Sequence, residues 1–140
     1  MEKTLIILKP SIPKSEDIKN IKITKEKFQK IFFKIIKCNW FKIEKRKDET
    51  INKNIAIKHY EEKKEHPLFN DVIEYISSDI SIILSISWED AIQKIRSIAL
   101  KMRKKYIWDS KLYNLIHSSD SKHESDREHL IHFPVKKEQY

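Results

Sequence analysis

The 140 residues contain no glycine, and this constrains the chain more than any other single feature. Glycine takes positive φ without steric cost. Here every left-handed turn must be made by a residue that carries a side chain, Asn or Asp by preference, or avoided by a longer connection. Phosphate loops of the Walker or dinucleotide type, whose glycines let the backbone approach the phosphates, are excluded. If the chain handles a nucleotide, it must hold it with side chains.

The length suits one domain, 1–135, followed by a polar tail, 136–140. Hydrophobic residues make up 39% and charged residues 36%; the apolar ones fall in periodic runs, which argues for an ordered core rather than disorder. The formal charge is +8, and a basic surface attracts phosphate-bearing ligands. The lysines are nevertheless dispersed among glutamates, in a composition rich in Lys, Ile and Asn such as A/T-rich coding produces. Nucleic acid is therefore not the expected partner. No apolar run reaches membrane-spanning length, and residues 5–8 are too short a core for a secretory signal. One cysteine, Cys38, excludes an internal disulfide and a cysteine-rich zinc site, and fits a reducing, cytoplasmic setting.

Residues 4–9 are an apolar run closed by Pro10, which predicts a buried strand with Lys9 at its carboxyl end. Residues 11–25, with Pro13, read as a loop. Phe28, Ile31, Phe32, Ile35 and Ile36 recur at helical spacing and predict an amphipathic helix over 26–38. Trp40, Phe41 and Ile43 begin a second strand that fades into the charged run 45–48. Thr50 reads as the cap of a helix running to about residue 64, which Pro67 breaks, and 68–76 forms another short helix. The β-branched run 80–86 is the clearest strand. Ser87-Trp88-Glu89-Asp90 resembles a capping box for a helix with Ala91, Ile92, Ile95, Ile98, Ala99 and Met102 turned inward. Residues 106–113 read as loop or weak strand, and Leu115-Ile116 as the last strand. Ser121 with Glu124 forms a second capping box, for a helix over 122–133. The order predicts an α+β fold, a ferredoxin-like sandwich with a four-stranded antiparallel sheet and helices packed on it.

Within Asn114-Leu115-Ile116-His117-Ser118-Ser119-Asp120-Ser121, one histidine stands between an apolar strand end and a polar turn, opposite a helix able to return a carboxylate. That arrangement suits nucleophilic or acid–base chemistry near neutral pH. A surface histidine in a serine-rich turn is the plainer alternative. Arg96, Arg103, Lys9 and Glu128, taken singly, are equally well read as solvated charges, and Tyr60 as an amphipathic core residue.

Four segments taken together resemble the nucleoside diphosphate kinase family: Thr4-Leu5-Ile6-Ile7-Leu8-Lys9-Pro10; His59-Tyr60-Glu61-Glu62-Lys63 with Pro67-Leu68-Phe69; Asn114 to Ser121, similar to a signature in which histidine precedes Gly-Ser-Asp-Ser; and the acidic Glu124-Ser125-Asp126-Arg127-Glu128. They occur in the family's order across nearly the whole chain. The resemblance implies transfer of the γ-phosphoryl group of a nucleoside triphosphate to a nucleoside diphosphate through a phosphohistidine, with Mg2+ carried by the nucleotide phosphates. It implies His117 as nucleophile, Glu128 as the carboxylate holding it, and Ser119 supporting that contact. Lys9 and Tyr60 would serve the transferring phosphoryl, Arg96 and Arg103 the phosphates, Asn114 the sugar, and Leu68 and Val72 the base. A homo-oligomer, at least a dimer through the first strands and helices, is implied as well.

The sequence departs from the family pattern at several points. Ser11 stands where an acid follows Lys-Pro, Ser118 replaces a glycine, and Leu68 replaces an aromatic residue. The segment from Arg96 to Arg103 is much shorter than the family's nucleotide-covering loop and lacks its threonine. A kinase-like fold with weakened or no activity, serving as a nucleotide- or protein-binding module, is the alternative reading.

Overall fold

A computed structural model describes residues 1–12, 23–107 and 112–135. The middle of the expected loop at 11–25, part of the connection at 106–113 and the expected tail at 136–140 lie outside them. Strand β1 (Glu2–Leu8) pairs on both edges, with β3 (Ser81–Trp88) and β4 (Ile116–Ser118), and carries five consecutive buried residues because both faces of the sheet are covered there. Strand β2 (Lys42–Glu49) completes an antiparallel sheet of order β2-β3-β1-β4. This is the expected α+β ferredoxin-like arrangement.

Side chains alternate across β1 with the two-residue period of a strand. Ile6 and Leu8 join Phe28, Phe32 and Ile36 of α1 (Lys25–Cys38) and Ile95, Ala99 and Met102 of α4 (Ala91–Tyr106). Leu5 and Ile7 face the other way, onto Ala56 of α2 (Lys53–His59) and Ile73 and Ile76 of α3 (Phe69–Ile76). Helix α5 (Lys122–His132) packs on β1 and α2. Each fully buried Leu, Ile or Phe stabilises by about 1.5–3 kcal/mol, and Phe28, Phe32 and Leu5 to Leu8 have no exposed surface. No helix among the described residues is long and apolar enough to cross a membrane.

Five local expectations are corrected. β2 does not fade at its charged run but continues through it, since an edge strand with a wet face can carry charges in same-face pairs. Arg46 bonds Asp48 at 2.9 Å and Lys47 pairs with Glu49 at 3.0 Å. The cap of α2 is Asn52, which accepts from the Ile55 amide at 3.0 Å, rather than Thr50. That helix ends at His59 and is followed by a 3-10 turn, Glu61–Lys63. Ser87 caps nothing: its register places it in β3 opposite Lys3 and Lys42, and its hydroxyl donates to Glu44. The first turn of α4 is satisfied from a distance, by Glu2 Oε1 accepting from the Ile92 amide at 2.8 Å. Leu115 lies just before β4, not in it.

Among the described residues the left-handed region holds Trp40 (φ 62°), Asp90 (φ 52°) and Leu115 (φ 56°). For an L-residue with a long side chain that conformation costs about 1–2 kcal/mol. Trp40 is 80% exposed, so its ring returns little packing. Trp40→Gly is expected to raise stability by about 0.5–1 kcal/mol after the entropy of the added glycine is deducted. The urea midpoint of the two proteins measures this.

Candidate active site

Asn114 and Leu115 make the bend that starts β4. The Ile116 amide reaches back to the Asn114 carbonyl at 2.7 Å across Leu115, giving the bond pattern of a γ-turn around a positive-φ residue. The Lys9 amide donates to the Leu115 carbonyl at 2.9 Å, so the bend is held by the end of β1. His117 then lies opposite Ile7 in the ladder, its side chain 17% exposed.

Helix α5 brings the carboxylate. Ser121 caps it, accepting from the Glu124 amide at 3.1 Å as its capping box predicts. Glu128 stands two turns further on and is 2% exposed. Its carboxylate receives His117 Nε2 at 3.0 Å and the Ser119 hydroxyl at 2.6 Å. Ser119 Oγ in turn accepts from the Leu5 amide at 3.1 Å, so the group is tied to the central strand. Burial pushes Glu128 up to about 7, against the Ser119 hydrogen bond, which favours the anion. The His117 imidazole is held well below its ordinary value, first by burial and then by the positive charges of Lys9 and Arg103. It is therefore neutral at physiological pH. With Nε2 engaged by the carboxylate, Nδ1 keeps its lone pair for an electrophile.

In front of His117 lie two cavities that share Tyr60, Glu62, Lys63 and Arg103. The smaller, about 140 Å³, is lined by His117, Arg96, Arg103, Asp120 and Glu124. The larger, about 700 Å³, carries Leu68, Phe69, Val72 and Leu112 as an apolar wall, with Lys9 and Asn114 at its inner end. Lys9 is 4% exposed and bonds Asn114 Oδ1 at 2.7 Å. Burial, then Arg103 and Lys63, lowers its pKa well below the usual lysine value, and an approaching phosphate would favour its charged form. Arg103 is fixed by its bonds to the Ile116 carbonyl. The Tyr60 hydroxyl is buried and has no hydrogen-bond partner among the described residues. An unsatisfied buried hydroxyl beside a cavity is costly unless a ligand meets it.

The structure brings together every sequence-predicted site residue: His117, Glu128 and Ser119 behind the cleft, Lys9, Tyr60, Arg103 and Asn114 around its inner end, Arg96 on the small cavity, and Leu68 and Val72 on the apolar wall. Glu128 is not an acid on a solvated face. Sequence reasoning assigned no role to Arg127, His59 and His132. Arg127 donates to the Lys58 and His59 carbonyls, both at 2.9 Å, and to Glu124 Oε2 at 2.7 Å, tying the end of α2 to α5. Arg127→Ala is expected to cost about 1–2 kcal/mol through the abandoned carbonyls and to raise KM by loosening Tyr60. Urea unfolding and steady-state kinetics report the two effects separately.

His59 packs edge-on to His117, with ring centroids 4.5 Å apart. Donor atoms of His59, His117 and Glu128 lie within 4.8 Å of one another, close enough in principle to ligate a cation. The same positive groups that depress the histidines, Lys9, Arg103 and Arg127 among them, oppose a divalent ion there. The donor set does not fit a resident metal; it fits a proton network facing an anion.

The cleft thus sets cations in front of a neutral buried histidine held by a carboxylate. The model of the nucleoside diphosphate kinase family matches residues 2–138. The chain belongs to the nucleoside diphosphate kinase family. It is accordingly an enzyme of the kinase class. The nucleoside diphosphate kinase of Acetivibrio thermocellus is 30% identical over 96% of this chain and 97% of its own length. Among solved structures, the nucleoside diphosphate kinase of Aquifex aeolicus superposes with a TM-score of 0.73 at 28% identity, covering 94% of both chains. That of Encephalitozoon cuniculi reaches 0.80 at 17% identity, over 96% of this chain and 90% of its own, a likeness of fold.

Proposed function

We propose that the protein transfers the γ-phosphoryl group of a nucleoside triphosphate to a nucleoside diphosphate by a two-step exchange on His117. The observation that carries this reading is the bond between His117 Nε2 and the buried Glu128 carboxylate, at 3.0 Å. It holds the proton on Nε2 and leaves the Nδ1 lone pair for phosphorus. In the first step Nδ1 attacks the γ-phosphorus in line; the N–P bond forms as the bond to the β,γ-bridging oxygen breaks, and the diphosphate leaves. Glu128 stabilises the imidazolium character that develops. A second diphosphate then takes the phosphoryl group by the reverse path.

Lys9, Arg96 and Arg103 supply the positive charge that a glycine loop would otherwise offer through its amides, with Arg103 preset by its anchor on β4. Tyr60 directs its unpartnered hydroxyl to the phosphoryl group. Asn114 serves the sugar, and Leu68 and Val72 hold the base by apolar contact. Asp120 and Glu124 at the small cavity suit the hydrated Mg2+ of a nucleotide, which would neutralise phosphate charge when bound. The same reading takes the protein as a cytoplasmic homo-oligomer of at least two copies. The outer strand β2 and the neighbouring Trp40, 80% exposed, form the edge open to pairing.

Incubation with γ-labelled ATP or GTP and Mg2+ tests the reading. One phosphoryl group per chain is expected on His117, labile in acid, stable in alkali, and discharged on adding a nucleoside diphosphate. No adduct with any triphosphate would overturn it.

A further inference from the structure

Behind His117 lies a histidine pair that the transfer reaction as described does not use. His59, at the last turn of α2, is 3% exposed, and His132, at the last turn of α5, is 1% exposed. His59 Nδ1 and His132 Nε2 are 2.8 Å apart. The outer nitrogens, His59 Nε2 and His132 Nδ1, are buried and have no hydrogen-bond partner among the described residues. His59 Nε2 lies 3.7 Å from Glu128 Oε2, too far for a hydrogen bond but close for a charge–dipole contact.

Both rings are neutral, since burial and the surrounding cations disfavour the imidazolium. A neutral pair sharing one hydrogen bond has two arrangements. If His59 donates from Nδ1, its bare Nε2 lone pair faces a carboxylate, and His132 must carry its proton on an Nδ1 with nothing to receive it. If His132 donates from Nε2, the His59 proton sits on Nε2 and points at Glu128, leaving only an unfilled acceptor on His132. The first places acceptor against acceptor and leaves the His132 N–H with no carboxylate or carbonyl to meet it; the second turns the unbonded His59 N–H toward a carboxylate 3.7 Å away, where the charge–dipole contact is attractive. The second is favoured.

We propose that His132 is a positioning residue: by donating to His59 it fixes the tautomer that directs His59 Nε2–H at Glu128, and so orients the carboxylate that holds His117 Nε2–H. The inference rests on the proposed role of His117 and deepens it. It makes the alignment of the nucleophile depend on a residue two contacts behind it. The charged and titratable groups around the pair are Lys9 just beyond β1, Lys47 from β2, His117 from β4, and Arg127, Glu128 and His129 from α5.

The test compares the natural protein with His132→Gln, whose amide can donate to His59 Nδ1 in place of the imidazole, and His132→Leu, which fills space without donating. Imidazole 15N–1H correlation spectra at pH 7.5 are expected to show His59 protonated on Nε2 in the natural protein and in His132→Gln, and a mixture of tautomers in His132→Leu. The rate of phosphoenzyme formation is expected to fall about tenfold in His132→Leu and to return in His132→Gln. The acid limb of its pH profile should move only in the leucine variant. His59 protonated on Nδ1 in the natural protein would overturn the proposal, as would equal losses in both variants with an unchanged His59 spectrum. The spectra need neither nucleotide nor activity. Absence of any phosphoenzyme would therefore overturn the transfer reading alone, while the tautomer measurement still decides the role of His132.

Discussion

Replacing His117 by alanine is expected to abolish the phosphoenzyme and to lower phosphoryl transfer by about four orders of magnitude or more, the scale on which enzymes lose a nucleophile acting in concert with its partner. No neighbour can take over. The His59 ring is 4.5 Å away, but its Nε2 is buried and turned to Glu128. The Ser119 hydroxyl is spent on the same carboxylate at 2.6 Å. The fold should survive, because His117 contributes no apolar core contact and its backbone bonds in β4 are unchanged. Nucleotide affinity should change little, since Lys9, Arg103 and Asn114 remain. His117→Gly supplemented with free imidazole is the informative companion: the cavity admits the ring, and partial transfer should return. Label taken up by His117→Ala at the natural rate would show that another group receives the phosphoryl.

The second large effect is on stability in acid. Burial holds His59, His117 and His132 below the ordinary histidine value of 6.5, His132 at about 4. Once the pH falls below 6.5 the unfolded chain binds protons that the folded chain refuses, so stability is present above that pH and is lost as the pH falls toward 4. For His132 alone the loss is about 3 kcal/mol over that window. Glu128 has the opposite sign: raised from 4.5 to about 7, it makes the folded state gain stability as the pH falls through the same range, and it offsets about one histidine. With three histidines against one carboxylate, the net is a loss of stability as the pH falls, read as a fall in Tm. Thermal unfolding at intervals from pH 7.5 to 4.5 measures it. A Tm that holds or rises over that range would contradict the burial of these rings.

Much of this arrangement was legible in the residues because it is local. The β-branched run of β3, the apolar spacing of α1 and the Ser121–Glu124 box of α5 each carry their own signal over a few positions. What failed was decided at a distance. The Ser87 pattern has the letters of a capping box, yet β3 extends through it because Lys3 and Lys42 offer partners on either side. The charged strand β2 looks like a loop until the solvated face of an edge is recognised. At the site, His117, Glu128 and Lys9 were legible because each stands in one of four motifs that follow in order. His59 and His132, 73 residues apart in the chain, escaped because neither has a local partner. One cue was available. Ser125, Glu128 and His132 fall on one face of α5 and are all buried: a helix whose inward stripe is polar announces a buried network rather than a greasy core.

The bend at Leu115 and the anchoring of Arg103 on the Ile116 carbonyl have a consequence for how such a protein can change. His117 is aligned by β1, β4 and α5, and Arg103 is referred to β4 itself. Both bonds run to the sheet and α5, while Leu112 and Asn114, from the connection between α4 and β4, line the larger cavity. A change in that connection is therefore expected to reshape the cavity wall while His117 keeps its place on the sheet opposite Ile7.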